Sequence, residues 1–365
     1  LVGVGGAGSR VVDHILDIEK STGRDFSRGN AIVFTTDASE IDSINHIGKD
    51  YRYLVGDTDP SVNGNGVKGD PDLAVTVARS DIEEIRRAFD SVDLLDMDAI
   101  LVIAGLGGGT GAGAGAVLVN ELKRIYEKPV YVLGILPSKN EGKQCSRNAA
   151  RSLRTVVPEA DNVLLFDNAT WTPEDTNIED AYQRLNRELA LRTVSLFAGG
   201  EFDSKDLAEN KLDPSDIMRT LDTGGVSTIG FASIGASVSK RGLLSRILGL
   251  GVEDEQPTDA AKVKWLVRNA ATSRLTLPCD IESAERALVV LSGPPSALSR
   301  KGFEEARYWL GQVTDTVDVL AGDEPINGAS ELSAVVVLSN VTEVPRIDEL
   351  QKIGKQDLAE TNSSS

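Results

Sequence analysis

The sequence predicts an α/β fold in two parts, a parallel-sheet domain and a smaller α+β C-terminal domain, joined by a long central helix. Three observations point there. Through the first half, short apolar runs alternate with helical patterns, as strand–helix–strand units require. Two of those runs lead directly into glycine-rich turns that open helices. After Thr220 the runs become sparser, with helices set between them. A length of 365 residues fits two domains at ~150 residues each.

In order, residues 1–4 read as a strand, 11–19 as a helix and 31–34 as a second strand, with a charged helix over 81–89. Residues 99–104 form a fully apolar strand that enters the second glycine-rich turn and a helix over 115–126. Strands at 129–135 and 162–166 complete the run. All are apolar on both faces, as a sheet covered by helices on each side demands. A helix over 178–197 puts Ile178, Tyr182, Leu185, Leu189 and Leu196 on one face, and Gly199-Gly200 is expected to stop it.

Beyond Thr220, residues 226–233, 286–291 and 334–338 read as strands. A helix over 259–271 buries Val263, Leu266, Val267 and Ala270, and another spans 301–310. Residues 248–258 read as a surface loop and 361–365 as a disordered end. The division expected is 1–177, a connecting helix over 178–200, 201–345, and a tail over 346–365.

The charge balance excludes several classes. With 38 basic and 56 acidic residues the chain carries −18, so nucleic acid and anionic membranes are not expected as partners. Its 32 Asp and 24 Glu against 23 Arg and 15 Lys make a strongly hydrated, self-repelling surface suited to high internal salt. The longest apolar runs are too short for a membrane-spanning helix, and no secretion signal opens the chain, so a cytoplasmic location is expected. Cys145, Cys279, His14 and His46 give no zinc-ligand spacing and no support for a Ser/His/Asp triad, so no protein side chain is expected as a direct metal ligand.

The chemistry lies in the glycines. Gly3-Val-Gly-Gly-Ala-Gly8 satisfies G-x-G-x-x-G between a strand and a helix, where backbone N–H groups can approach phosphate. A dinucleotide site also wants an acid about 20 residues on, but the nearest candidate, Asp37, follows Gly8 by 29. The second cluster, Gly105-Leu-Gly-Gly-Gly-Thr-Gly-Ala-Gly-Ala-Gly115, repeats the strand–turn–helix arrangement. Two such units at one sheet edge make a deep anion site, better matched to a polyphosphate than to a pyrophosphate. A third run, Asn63-Gly-Asn-Gly-Val-Lys-Gly-Asp-Pro71, could close over a terminal phosphate. Ser9-Arg10 stands where a P-loop would have Lys-Ser/Thr, so backbone amides and a divalent cation must carry the phosphates.

Gly107-Gly-Gly-Thr-Gly-Ala-Gly113 resembles the signature of the tubulin/FtsZ superfamily of GTP-dependent filament proteins. The likeness extends to Thr36-Asp37, Pro137, Glu141-Gly142, Asp167-Asn168 and Tyr182-x-x-Leu-Asn186. The stretches Asn148-Ala-Ala-Arg-Ser, Arg274-Leu-Thr-Leu-Pro-Cys and Val344-Pro-Arg-Ile are most similar to the archaeal CetZ branch, known from salt-loving archaea. The resemblance implies a tubulin/FtsZ-like fold, GTP and GDP as ligands with Mg2+, and head-to-tail assembly of the chain with itself, in control of cell shape. By position, Gly5, Gly6, Ala7, Gly8 and Ser9 with Gly108, Gly109, Thr110 and Gly111 would hold phosphates; Arg10, where many relatives have Asn or Gln, departs from the family pattern and would add a charge. Glu141 would take the ribose, Asn168 and Asn186 would read guanine through paired donors and acceptors, and Tyr182 would stack on the base.

Hydrolysis would come from Asp213 and Asp216, which match the acidic pair that the superfamily inserts into the next subunit's site to orient water. On the residues alone they read first as helix capping, with Asp213 at the N-cap, Pro214 first and Asp216 third. Lys211 stands where relatives carry Asn, with Asn210 one residue early. Alternatives are a division-type GTPase, a GTP-sensing scaffold, and an NAD(P)-dependent oxidoreductase on the first glycine cluster.

Overall fold

The computed structural model describes residues 1–92, 97–172, 178–201, 212–235, 258–314 and 318–363, with backbone alone at 178 and 357–363. The first half runs β1 (Val2–Val4), α1 (Gly5–Thr22), β2 (Ile32–Thr35), α2 (Ala38–Asp42), β3 (Arg52–Leu54), α3 (Pro71–Ser80) and α4 (Ile82–Asp90). It continues through β4 (Ile100–Gly105), α5 (Thr110–Ile125), β5 (Val130–Leu136), α6 (Lys143–Glu159), β6 (Asn162–Asp167) and the single turn α7 (Asn168–Trp171). Then come α8 (Ile178–Glu201), α9 (Pro214–Leu221), β7 (Val226–Gly235), α10 (Asp259–Ser273), β8 (Arg286–Gly293) and α11 (Arg300–Val313). The chain closes with β9 (Val319–Pro325), β10 (Glu331–Ser339) and α12 (Pro345–Ser363).

The strands form one sheet in the order β3-β2-β1-β4-β5-β6-β7-β10-β8-β9. From β3 to β7 every pairing is parallel; β10 then pairs antiparallel with β7 and β8, and β9 runs parallel to β8. Two register pairs, Val163–Val226 and Leu164–Ser227, join the halves. Alternation along each strand splits the core into two layers. In β4, Ile100, Val102 and Ala104 face α3 to α6, while Leu101 and Ile103 face α1 and α8. The second layer continues past the junction through Leu288, Val290, Val335 and Val337, so α8 lies over both halves.

The two strands absent from the sequence reading, β3 and β9, are the edges of the sheet. An edge strand has a neighbour on one side only and needs less apolar sequence, and β3 is only half-buried along its length. Three other expectations need correction. α1 and α5 start at Gly5 and Thr110, earlier than glycine's poor helix propensity suggests. Packing overrides propensity here: a Cβ on Gly8 would sit 2.0 Å from the Ile103 carbonyl oxygen, so only glycine lets α1 lie on β4. Gly199 and Gly200 do not stop α8 but lie inside it, where a Cβ would meet Val290 Cγ1 at 3.0 Å and Ile217 Cδ1 at 2.9 Å. Finally, 345–363 is helical rather than a loose end, with Leu350 fully buried and Gly354 close against Ala150 of α6. The expected loop at 248–257 lies outside the described residues.

Gly8→Ala should therefore lower the unfolding free energy by about 1–3 kcal/mol through overpacking. Paired urea melts in concentrated KCl check this, and unchanged stability would remove the close α1–β4 contact from the account.

Candidate functional site

Strand order reverses between β1 and β4: β1 leads toward β2 and β3, β4 toward β5 and β6. Connections leaving the carboxyl ends of such a pair diverge and leave a crevice. Here β1 runs straight into α1, and β4 reaches α5 through residues 106–109. Among the described residues six α-helices are capped by a side chain, from Asp37, Asp70, Asp167, Asp213, Thr258 and Ser299, and α4 and α6 are not. α1 and α5 have no such cap and no acid in the first turn. Their first N–H groups are left for an external anion, and both helix dipoles point the same way. Gly5, at φ +68°, adopts a conformation that favours glycine, and a Cβ there would lie 3.2 Å from both Gly111 N and Thr110 Cβ. The two nests are thus one surface.

The resulting cleft has a volume of about 320 Å³. It brings together most residues expected from sequence: Gly5, Gly6, Ala7 and Arg10 from the first turn, Gly108, Gly109, Thr110 and Gly111 from the second, and Glu141, Asn168, Tyr182 and Asn186. Arg10 is the one cation among the lining residues. Gly8 and Ser9 do not line it. Gly8 serves the helix–strand contact, and Ser9 is buried with its hydroxyl unpartnered. The 64–71 run does not line it either. That loop is pinned behind the second nest by Gly66 N–H donating to Thr36 O (2.9 Å) and by Val67 against Gly109.

Two residues that shape the cleft were not singled out for it in the sequence. Asn148 of α6, fully buried, donates through Nδ2 to the carbonyls of Gly69 (3.0 Å), Gly107 (3.1 Å) and Gly108 (3.3 Å). Gln144 Nε2 donates to its Oδ1 and fixes the amide's orientation. By holding these carbonyls, Asn148 braces the backbone of the second nest. Glu40 lines the cleft with its carboxylate over Gly6 and accepts a hydrogen bond from the Thr35 hydroxyl. Burial pushes its carboxyl above the usual carboxylate range, against the opposing pull of the Thr35 hydroxyl and the Arg10 charge.

At the other end of the cleft, Tyr182 and Asn186 sit one turn apart on α8, as i,i+4 spacing requires. The Tyr182 phenol lies beside Glu141, and burial next to that carboxylate pushes its pKa up to about 12. Glu141 accepts from Ser138 N at 2.6 Å, closing a capping box on the 139–141 turn. Asn168 opens α7, whose N-cap Asp167 accepts from Ala169 N at 3.2 Å.

Asp213 and Asp216 are not in the cleft. They form the capping box of α9, with Asp213 accepting from Ser215 N (2.8 Å) and Asp216 N (3.2 Å). Gly200, near the end of α8, lies against the Asp213 backbone. At 1.5 Å per residue that end is about 21 Å along α8 from Asn186. Lys211 and Asn210 lie outside the described residues.

The tubulin/FtsZ family GTPase domain matches residues 1–173, and the C-terminal domain of tubulin-like CetZ matches 175–356. The tubulin-like protein CetZ1 of Haloferax volcanii is 44% identical over 361 residues, spanning 97% of this chain and 90% of that protein. This chain belongs to the CetZ branch of the tubulin/FtsZ family. Two solved structures from the same organism carry the CetZ fold closely. The CetZ1 GDP-bound monomer has a TM-score of 0.83 at 39% identity, covering 98% of each chain. The CetZ2 GTPγS-bound protofilament has a TM-score of 0.85 at 32% identity, covering 99% of this chain and 98% of that one.

Glu40 gives a pH signature. Its raised folded-state pKa contributes stability that is fully present below the unfolded value and is lost as pH rises through the folded one. Relative to Glu40→Gln, the native chain should gain stability as pH falls toward the ordinary carboxylate range. Paired denaturant melts read the difference, and parallel profiles would contradict the burial assigned to Glu40.

Proposed function

We propose that the chain binds GTP in the cleft, assembles head to tail, and hydrolyses GTP only where a neighbouring subunit completes the site. The observation carrying this reading is the separation just described: α8 meets the cleft through Tyr182 and Asn186 near its start and the acidic pair through Gly200 near its end. Within one subunit Asp216 cannot reach a phosphate held by Gly5 and Gly108. Stacking copies along α8 would bring one molecule's acids to the next one's cleft. A heterologous contact of this kind does not close on itself and propagates as a filament.

In this reading Gly5, Gly6, Ala7 and Gly108 to Gly111 present N–H groups to the phosphates, Arg10 adds a charge, Glu141 takes the ribose, and Asn168 and Asn186 read guanine beneath Tyr182. Asp213 and Asp216 orient the attacking water from the next subunit. The capping role does not compete at Asp216, whose Oδ2 accepts from Asp213 N at 3.3 Å while a carboxylate has two oxygens to offer.

A magnesium ion fits this donor set. Among the described residues no three His, Cys, Asp or Glu side chains cluster to cage a metal. Mg2+ typically binds through one or two carboxylates with substrate phosphates and water, and Glu40 places a carboxylate beside the first nest. The ion supplies neutralisation of phosphate charge. Among the described residues no helix is long and apolar enough to cross a membrane. The proposed setting is the cytoplasm of a salt-loving archaeon, with filaments controlling cell shape. The proposed division remains 1–177, 178–200, 201–345 and 346–365.

Asp216→Ala should bind GTP within about threefold of the native chain and hydrolyse it about 100-fold more slowly, in the range for losing a positioned proton acceptor. Native turnover should rise more than linearly with protein concentration. Steady-state phosphate release in multimolar KCl measures both; linear dependence, or full turnover by Asp216→Ala, would contradict the shared site.

A further inference from the structure

The first turn of α12 reaches the cleft from behind, through an arginine. Arg346 is 6% exposed although it begins the C-terminal helix. Its Nη2 donates to the Pro137 carbonyl at 2.8 Å, and Nη1 to Glu349 Oε2 at 2.9 Å. Its Nε lies 3.3 Å from Asp167 Oδ1, close enough for strong charge attraction though not aligned as a hydrogen bond. Asp167 is itself buried, so this pair is little screened.

What Arg346 touches matters more than its burial. Pro137 lines the cleft and leads into the turn that carries Glu141, the ribose-side residue. Asp167 caps α7 and directly precedes Asn168, the base-side residue. Pro137 follows the last residue of β5, and Asp167 is the last residue of β6, in register with Leu136. Past that pair the sheet register ends, and one guanidinium contacts the start of both connections, β5–α6 and β6–α7. A second contact from the same helix turn, Glu349 to Lys139 Nζ at 3.2 Å, holds the 139–141 turn again. Arginine suits the place because its planar fork serves a carboxylate and a carbonyl at once, where lysine offers a point charge.

We propose that Arg346 is a positioning residue for nucleotide recognition, fixing the distance between the ribose-side turn and the base-reading Asn168. It touches no ligand and acts through Pro137 and Asp167. The proposal rests on the guanine-nucleotide reading of the cleft and adds to it a control point in the C-terminal helix. A change in how α12 seats on α6 would be transmitted to the base end of the site.

A double-mutant cycle tests it, using fluorescent N-methylanthraniloyl-GDP with the full chain in multimolar KCl. Arg346→Met should weaken binding at least tenfold, and Arg346→Lys should recover part of the loss. In an Asn168→Ala background the same Arg346→Met change should cost threefold or less, because the residue it positions is gone. A simple loss of fold would not show this coupling. Should Arg346→Met not fold, Arg346→Lys carries the same cycle, with a loss of threefold or more that vanishes in the Asn168→Ala background. Binding by Arg346→Met within twofold of native, or an undiminished effect in the Asn168→Ala background, overturns the positioning role. A native chain that takes up no guanine nucleotide overturns the reading of the cleft itself, and the role of Arg346 with it.

Discussion

The architecture turns on a debt of hydrogen bonds at two helix starts. α1 and α5 leave parallel neighbours β1 and β4 without a side-chain cap, and their first N–H groups converge on one cleft. Uncapped N–H groups are costly when nothing accepts from them. In a protein whose net charge is −18, a site built from backbone dipoles can still draw an anion, because its field is local while the surface charge is screened at high salt. The glycines, the Asn148 brace and the close α1–β4 packing all follow from holding those two helix ends side by side.

That constraint also separates binding from chemistry. In the function we propose, the cleft collects donors for phosphate and paired amides for a base, while its acids are engaged locally: Glu40 with Thr35 and Glu141 with Ser138. The acids suited to handling water, Asp213 and Asp216, are held at the far end of α8 in a rigid capping box. A rigid helix then acts, in the proposed function, as a spacer that keeps a loaded subunit inert until another arrives.

Much of this was legible in the sequence because it is written in local pattern. The two glycine clusters, the apolar strands between them and the Tyr182/Asn186 spacing each fit within one turn or one strand. What escaped is long-range. Asn148 reaches carbonyls about 40 residues earlier, and Arg346 reaches Pro137 across 209 residues, so no window along the chain contains either contact. The helix starts, Gly199-Gly200 and the C-terminal helix depart from the sequence expectation for one shared reason. The intrinsic propensity of glycine and polar residues gives way where close packing against Ile103, Val290, Ile217 and α6 decides the outcome.

The shared site is tested most directly by complementation between two defective chains, one carrying Asp216→Ala and the other Asn168→Ala with Asn186→Ala. Each alone should be nearly inert, lacking either the acid or the nucleotide. Mixed in equal amounts, they should recover about a quarter of native GTP turnover, the share of head-to-tail contacts that randomly pair an intact cleft with an intact acid. A mixture no more active than its two components would contradict the account.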